Sequence, residues 1–324
     1  MWSCSGLALH RSRSAARPTP PRPKPLVRWA GPALAILAVL SAASPPAAAA
    51  DGAREVDLEL VLAIDVSRSV DEEEARLQRD GYIAAFRHPS VIEAIRRGPL
   101  GRVAVSYFEW GDYGNTHLVV DWTMIGDRAS ALAFADELGR TMPMSARRTG
   151  ISGAIDYGVS LFDRNRFDGR RRVIDVSGDG ANNSGELVTV ARDRAVAAGV
   201  TINGLPILND RDSPGGWPQV PNLDLYFRDC VIGGPGAFYL VAKDFRDFGR
   251  AVLRKLILEI ADARPADADQ PRRAAGHPLL VLVATEKKTP PPCDAGERRR
   301  RQLWFGDDPD NYLQPPPMRP RQSP

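Results

Sequence analysis

Between residues 57 and 261 the apolar positions fall into short continuous runs separated by longer amphipathic stretches. Leu58–Ile64 is almost wholly apolar, the pattern of a strand buried on both faces. Asp71–Phe86 repeats its apolar side chains at helical spacing, and Ser69 and Glu72 stand at the spacing of a capping box. The acids Asp71–Glu74 fall in the first turn of that helix, where they complement its dipole. Arg102–Phe108 and Thr116–Trp122 read as strands, and the Gly/Asn-rich Gly111–Asn115 between them predicts an antiparallel hairpin. Helical patterns follow over 127–140 and 150–163, then a strand over Arg172–Ser177 and a helix over 185–198. Val200–Ile207 and Ala237–Val241 read as further strands, and Lys243–Ala261 as a last amphipathic helix. This alternation predicts a doubly wound α/β fold: a mostly parallel sheet, helices on both faces, and one antiparallel edge hairpin.

Proline and charge divide the chain in one way. Residues 51–263 hold only eight of the 28 prolines and carry a net charge of −6, against +3 for all 324 residues. The basic balance therefore belongs to the two ends, and no nucleic-acid footprint is expected on the folded part. Residues 1–50 contain six basic and no acidic side chains, an apolar run from Trp29 to Ala43, and small residues before Asp51. They read as an export signal cleaved near Asp51, placing the mature protein in the periplasm or outside the cell. An uncleaved N-terminal anchor is the alternative, and the long basic stretch suggests a start codon further downstream. The run is shorter than the ~20 residues a spanning helix needs, and no later segment could span, so the mature chain is expected to lack a transmembrane helix.

Residues 264–324 read as a disordered Pro/Arg-rich tail, with an apolar patch at Leu279–Val283, a basic run at Arg298–Arg301 and Pro315–Pro317. Contact of this tail with acidic polymers or lipid head groups is the alternative reading. Cys4 falls in the leader. Cys230 and Cys293 could pair in an exported protein, but Cys293 follows Pro290–Pro292, and the two are expected to stay unpaired.

Ligand crevices in open α/β sheets lie at the carboxyl ends of the strands. Asp65-Val-Ser67-Arg-Ser69 follows the first strand, Thr149 precedes the 150–163 helix, and Asp179 follows Arg172–Ser177. Together they offer two carboxylates and three hydroxyls, without histidine or thiol. Such hard oxygen ligands suit Mg²⁺, Mn²⁺ or Ca²⁺. Two carboxylates balance the ion's charge, which leaves it able to accept one more anionic oxygen. Asp175 sits mid-strand among apolar neighbours and requires a hydrogen-bonded partner. His88 and His117 are isolated and read as surface or turn residues. The polar loop 209–221 follows a strand, and its Arg211 and Trp217 are candidate partner contacts, Trp217 alternatively packing the loop down.

The Asp65-x-Ser67-x-Ser69 run, with Thr149 and Asp179 in order, resembles the metal-ion-dependent adhesion site of the von Willebrand factor A domain over about 57–261. Within that superfamily, Glu109-Trp110, Asp175–Gly180 and Val231–Phe238 look like a bacterial secreted family of unassigned function. The resemblance implies a Rossmann-like fold, a cation held by Asp65, Ser67, Ser69, Thr149 and Asp179, and capture of an Asp or Glu carboxylate on a protein partner. Two other function classes remain open. One is a metal-dependent hydrolase or phosphotransfer enzyme using Asp65, which would lack the usual Asp-x-Asp spacing and a placed lysine; no Gly-x-Ser-x-Gly or Gly-x-Gly-x-x-Gly motif supports a serine hydrolase or a nucleotide site. The other is a structural subunit whose metal only stiffens the loops.

Overall fold

The Leu58–Ile64 run forms the centre of a five-stranded sheet. In this computed structural model the described residues are 53–208, 220–262 and 288–305. Along the chain, β1 (Arg54–Val56) and β2 (Glu59–Asp65) precede α1 (Glu72–Arg87) and α2 (Pro89–Arg96). Then come the hairpin strands β3 (Val103–Trp110) and β4 (Thr116–Ile125), followed by α3 (Arg128–Leu138) and α4 (Ile151–Phe162). The short β5 (Phe167–Gly169), β6 (Arg172–Gly178), α5 (Val188–Ala197) and β7 (Thr201–Pro206) complete the alternation. A turn of helix α6 (Leu223–Tyr226) runs into a π turn over Phe227–Val231, and α7 (Phe248–Ile260) and α8 (Ala295–Phe305) follow.

The sheet order is β4-β3-β2-β6-β7, parallel except for the antiparallel β3–β4 pair; β1 and β5 form a separate parallel pair. This is the doubly wound sheet with one hairpin edge that the hydrophobic pattern predicts. Strand alternation sends Leu58, Leu60, Leu62 and Ile64 to one core beneath α1, α2, α3 and α7. Val61 and Ala63 point to the other, beneath α4, α5 and the 223–231 segment.

Several local readings change. The capping box of α1 is Asp71 with Glu74, not Ser69 with Glu72: the Asp71 carboxylate accepts from Glu74 N at 2.8 Å, and Glu74 Oε2 accepts from Asp71 N at 3.0 Å. Glu72, Glu73 and Glu74 do fill the first turn. His88 lies in a turn, as expected, and its Nδ1 caps the unforeseen α2. Ala237–Val241 is not a regular strand. It meets β7 only through isolated bridges, with Gly204 N donating to Phe238 O and Leu240 N to Gly204 O. Positive φ at Gly234 and Gly236 keeps the approach to that segment out of a ladder. The last helix begins at Phe248 rather than Lys243, because Asp244 and Asp247 accept from the backbone of the preceding turn.

Two expectations about the C-terminal part are overturned. Cys230 and Cys293 form a disulfide, with Cα atoms 5.4 Å apart. Part of the supposed disordered tail, 288–305, is ordered and includes α8. Proline at 290–292 bars a hydrogen-bonded ladder but not docking of a short helix behind it. Residues 1–50, read above as an export signal, and the Leu279–Val283 patch lie outside the described residues. Among the described residues no helix is long and apolar enough to cross a membrane.

The partner of Asp175 is Lys255 of α7, Nζ to Oδ1 2.6 Å. The same ammonium binds Glu259, whose Oε1 accepts from Asn203 Nδ2 at 2.9 Å, and Asn203 Oδ1 accepts from Phe238 N at 2.9 Å. All of these side chains are buried at the middle of the sheet.

Candidate metal centre

β2 and β6 are neighbours, and the chain leaves them on opposite faces, into α1 and α5. A crevice therefore opens at their carboxyl ends, the switch point where such sheets bind ligands. Asp65 is the last residue of β2, and Asp179 directly follows β6. The loop after β2 carries Ser67 and Ser69 into the crevice, and Thr149 enters from the segment before α4. Asp65, Ser67, Thr149 and Asp179 are buried, while Ser69 is half-buried at the rim.

The five predicted side chains converge. Thr149 Oγ1 donates to Ser67 Oγ at 3.3 Å, Ser67 Oγ lies 3.1 Å from Ser69 Oγ, and Ser69 Oγ donates to Asp179 Oδ1 at 2.6 Å. Asp65 Oδ1 accepts from Ser67 N at 2.8 Å. Adjacent oxygens of a Mg²⁺ octahedron with bonds of 2.0–2.1 Å are about 2.9 Å apart. The observed spacings of 2.6–3.3 Å bracket that value, so these oxygens could close on a small cation with little movement. Because Asp71 caps α1, Ser69 is left to face Asp179.

The electrostatics match a cation-binding donor set. Burial pushes the Asp65 carboxyl well above its ordinary range, the Asp179 charge adds to the rise, and the hydrogen bonds from Ser67 oppose it. Asp65 Oδ2 is buried and has no hydrogen-bond partner among the described residues. The β6 backbone approaches it closely: a Cβ on Gly178 would lie 2.9 Å from Asp65 Oδ2. Among the described residues no three His, Cys, Asp or Glu side chains form a metal-binding group. The donor set is an acid pair completed by hydroxyls.

A second ring of residues positions the first. Asn183 Oδ1 accepts from Thr149 N at 3.0 Å, and Asn183 N donates to Thr149 O at 2.8 Å. Asn182 Oδ1 accepts from Ser152 N at 3.0 Å, satisfying a first-turn donor of α4, whose own N-cap, Gly150, has no side chain to do so. Gln78 Nε2 donates to Asp65 O at 3.0 Å. Glu109 pairs with buried Arg79 and accepts from Met144 N at 2.7 Å, tying α1 and the loop before Thr149 to β3. Of these, Glu109 stands in the Glu109-Trp110 motif noted in the sequence, and the Asn182-Asn183 pair carries the composition of a turn shortly after Asp179; Gln78 and Arg79 left no such signal. Arg211 and Trp217 lie outside the described residues.

The chain belongs to the family described as Protein of unknown function (DUF1194), which matches residues 55–264. No curated protein matches it. Among solved structures it is similar to the pilus adhesin SpaC from Lactobacillus rhamnosus GG, with 14% identity, a TM-score of 0.48, and coverage of 64% of this chain and 31% of that one. It is similar to a von Willebrand factor type A protein from Catenulispora acidiphila, with 14% identity, a TM-score of 0.45, and coverage of 64% and 43%. It is also similar to proximal thread matrix protein 1 from the mussel byssus, with a zinc-occupied MIDAS motif, at 12% identity, a TM-score of 0.43, and coverage of 63% and 46%. The chain thus spans about a third to a half of the length of these three proteins.

Proposed function

We propose that this DUF1194 protein is an exported binding module that holds a divalent cation, Mg²⁺ or its analogues Mn²⁺ and Ca²⁺, through Asp65, Ser67, Ser69, Thr149 and Asp179. Through that cation it captures an Asp or Glu carboxylate on a protein partner. The observation that carries the reading is Asp65 Oδ2, a buried carboxylate oxygen without a hydrogen bond, in a site whose second carboxylate raises its proton affinity. A buried carboxylate oxygen without a hydrogen bond is unfavourable, and a divalent ion would satisfy it. Three neutral hydroxyls add ligands without adding charge, so the ion retains attraction for an outside carboxylate.

Exposed arginines flank the ligands. Arg68 stands between Ser67 and Ser69, and Arg147 and Arg148 precede Thr149. They favour an acidic partner by charge complementarity. Tyr113, 53% exposed, and Met142, 62% exposed, lie in loops at the same sheet edge and offer apolar contact. The five residues supply no histidine or thiol base, which favours binding over acyl or phosphoryl transfer. The basic, then apolar, then alanine-rich leader supports export.

The test is capture of an immobilised Glu-containing peptide by the full chain in Mg²⁺. Chelation and Thr149→Ala should each abolish capture and leave the far-ultraviolet spectrum unchanged. Capture that survives both treatments would refute the metal-dependent reading.

A further inference from the structure

We infer that helix α8, stapled by the Cys230–Cys293 disulfide, is a structural part of the metal centre: it clamps the loop after β6 and, through Asn182 and Asn183, positions Thr149 and the start of α4. This rests on the metal reading above and adds the C-terminal segment to the site.

The contacts run in an unbroken series. Gly296, the second residue of α8, lies directly on the loop backbone: a Cβ there would fall 2.1 Å from Asn182 O, a distance no larger residue could accept. Glu297 Oε1, buried, accepts from Asn182 Nδ2 at 2.6 Å. Arg300 Nη1 donates to Asn183 O at 2.8 Å. Tyr226, four residues before Cys230, accepts from Asn182 N at 3.2 Å. On their other side the same two asparagines hold Ser152 N, Thr149 N and Thr149 O.

Glu297 does more than touch the loop. An ionised carboxylate only accepts hydrogen bonds, so it requires the amide NH₂ of Asn182 to face α8. That orientation leaves Asn182 Oδ1 for Ser152 N, at the start of the helix that Thr149 precedes. Glu186 O accepts from the same Nδ2 at 2.9 Å, so the C-terminal helix and the loop's own backbone together hold the side-chain orientation on which the ligand loops are registered. An 11-residue helix is marginal by itself. The disulfide, joining residues 63 apart in sequence, supplies the tether.

Residues of this kind, one layer behind the ligands, typically change metal affinity by 10–100-fold when altered. The experiment uses the full oxidised chain and its Glu297→Leu, Glu297→Gln and Cys293→Ser variants. Cys293→Ser leaves Cys230 as a buried thiol, which behaves as a small apolar group. Mn²⁺ affinity is measured by calorimetry, and amide hydrogen exchange at Thr149 and 180–184 is measured without metal. Glu297→Leu and Cys293→Ser should each weaken Mn²⁺ about tenfold and speed exchange in those segments, with β2 and β6 protection unchanged. Glu297→Gln, whose Oε1 still accepts from Asn182, should restore both. Unchanged affinity and exchange in Glu297→Leu and Cys293→Ser would overturn the clamp. Failure of the wild-type chain to bind Mn²⁺ would overturn the metal reading instead, and the exchange result alone would then decide whether α8 holds the loop.

Discussion

Two buried pairs of carboxylates meet at strand β6, one at its middle against α7 and one at its carboxyl end against β2, and they are solved differently. At the middle of the sheet, Asp175 and Glu259 share the ammonium of Lys255, and Asn203 takes a further Glu259 contact. At the carboxyl edge, Asp65 and Asp179 meet three hydroxyls and the backbone amide of Ser67. Where the chain carries its own cation, the cluster joins α7 to the sheet and is closed. At the edge, the cluster reaches the rim at Ser69, and its carboxylates and hydroxyls are suited to a cation from outside. Buried carboxylates alone do not mark a binding site; a carboxylate oxygen left without a hydrogen bond, as Asp65 Oδ2 is among the described residues, does.

The sharpest way to break this contrast is to remove the internal cation. Lys255→Met leaves two carboxylates buried and unpaired, and losing one partner of a buried pair costs about 3–5 kcal/mol. Urea denaturation should register that loss, while metal affinity at the edge site stays near wild type. A Lys255→Met chain as stable as wild type would end the comparison.

A smaller effect concerns pH. Burial, then the charge of Asp175, push Glu259 up to about 7, against the pull of Lys255 and Asn203. Its carboxyl holds a proton more tightly folded than unfolded, so its contribution is complete below the unfolded value of 4.5 and is lost as pH rises through about 7. Stability should therefore fall between these limits, and Glu259→Gln, which keeps the Asn203 contact, should flatten the fall. An unchanged profile in the variant would assign the pH dependence elsewhere.

Smaller still is the division of labour at the start of α1. Asp71→Ala should cost about 1 kcal/mol of stability through the lost cap. Ser69→Ala should leave stability nearly unchanged and weaken metal binding. The reverse result would return Ser69 to the capping role its spacing with Glu72 suggests.

That misreading shows what was legible in the sequence. The strands were, because runs such as Leu58–Ile64 and Arg172–Ser177 are buried on both faces and leave few polar positions. The meeting of the five candidate side chains at one sheet edge was, because each lies within two or three positions of a strand or helix end. The choice between Ser69 and Asp71 as cap was not: both stand before acids at the right spacing, and only the tertiary pull of Asp179 on Ser69 separates them. Helix α8 was hidden for another reason. Its docking depends on a cysteine 63 residues away and on the orientation of Asn182, neither of which leaves a periodic trace. The short α2 was overlooked although His88-Pro89 carries a start signal, since eight residues show little periodicity.

The central claim is that the edge pair awaits a cation, and one paired measurement addresses it. Mg²⁺ and Mn²⁺ are titrated calorimetrically into the full chain and into Asp65→Asn, and the metal-free stability of both is measured by denaturation. Asparagine keeps the acceptor for Ser67 N and removes one of two repelling buried charges. The account predicts a single site in the wild type that is lost in Asp65→Asn, with metal-free stability equal to or above wild type. Equal metal binding by both chains, or a variant that is markedly less stable than a wild type that binds no metal, would contradict it.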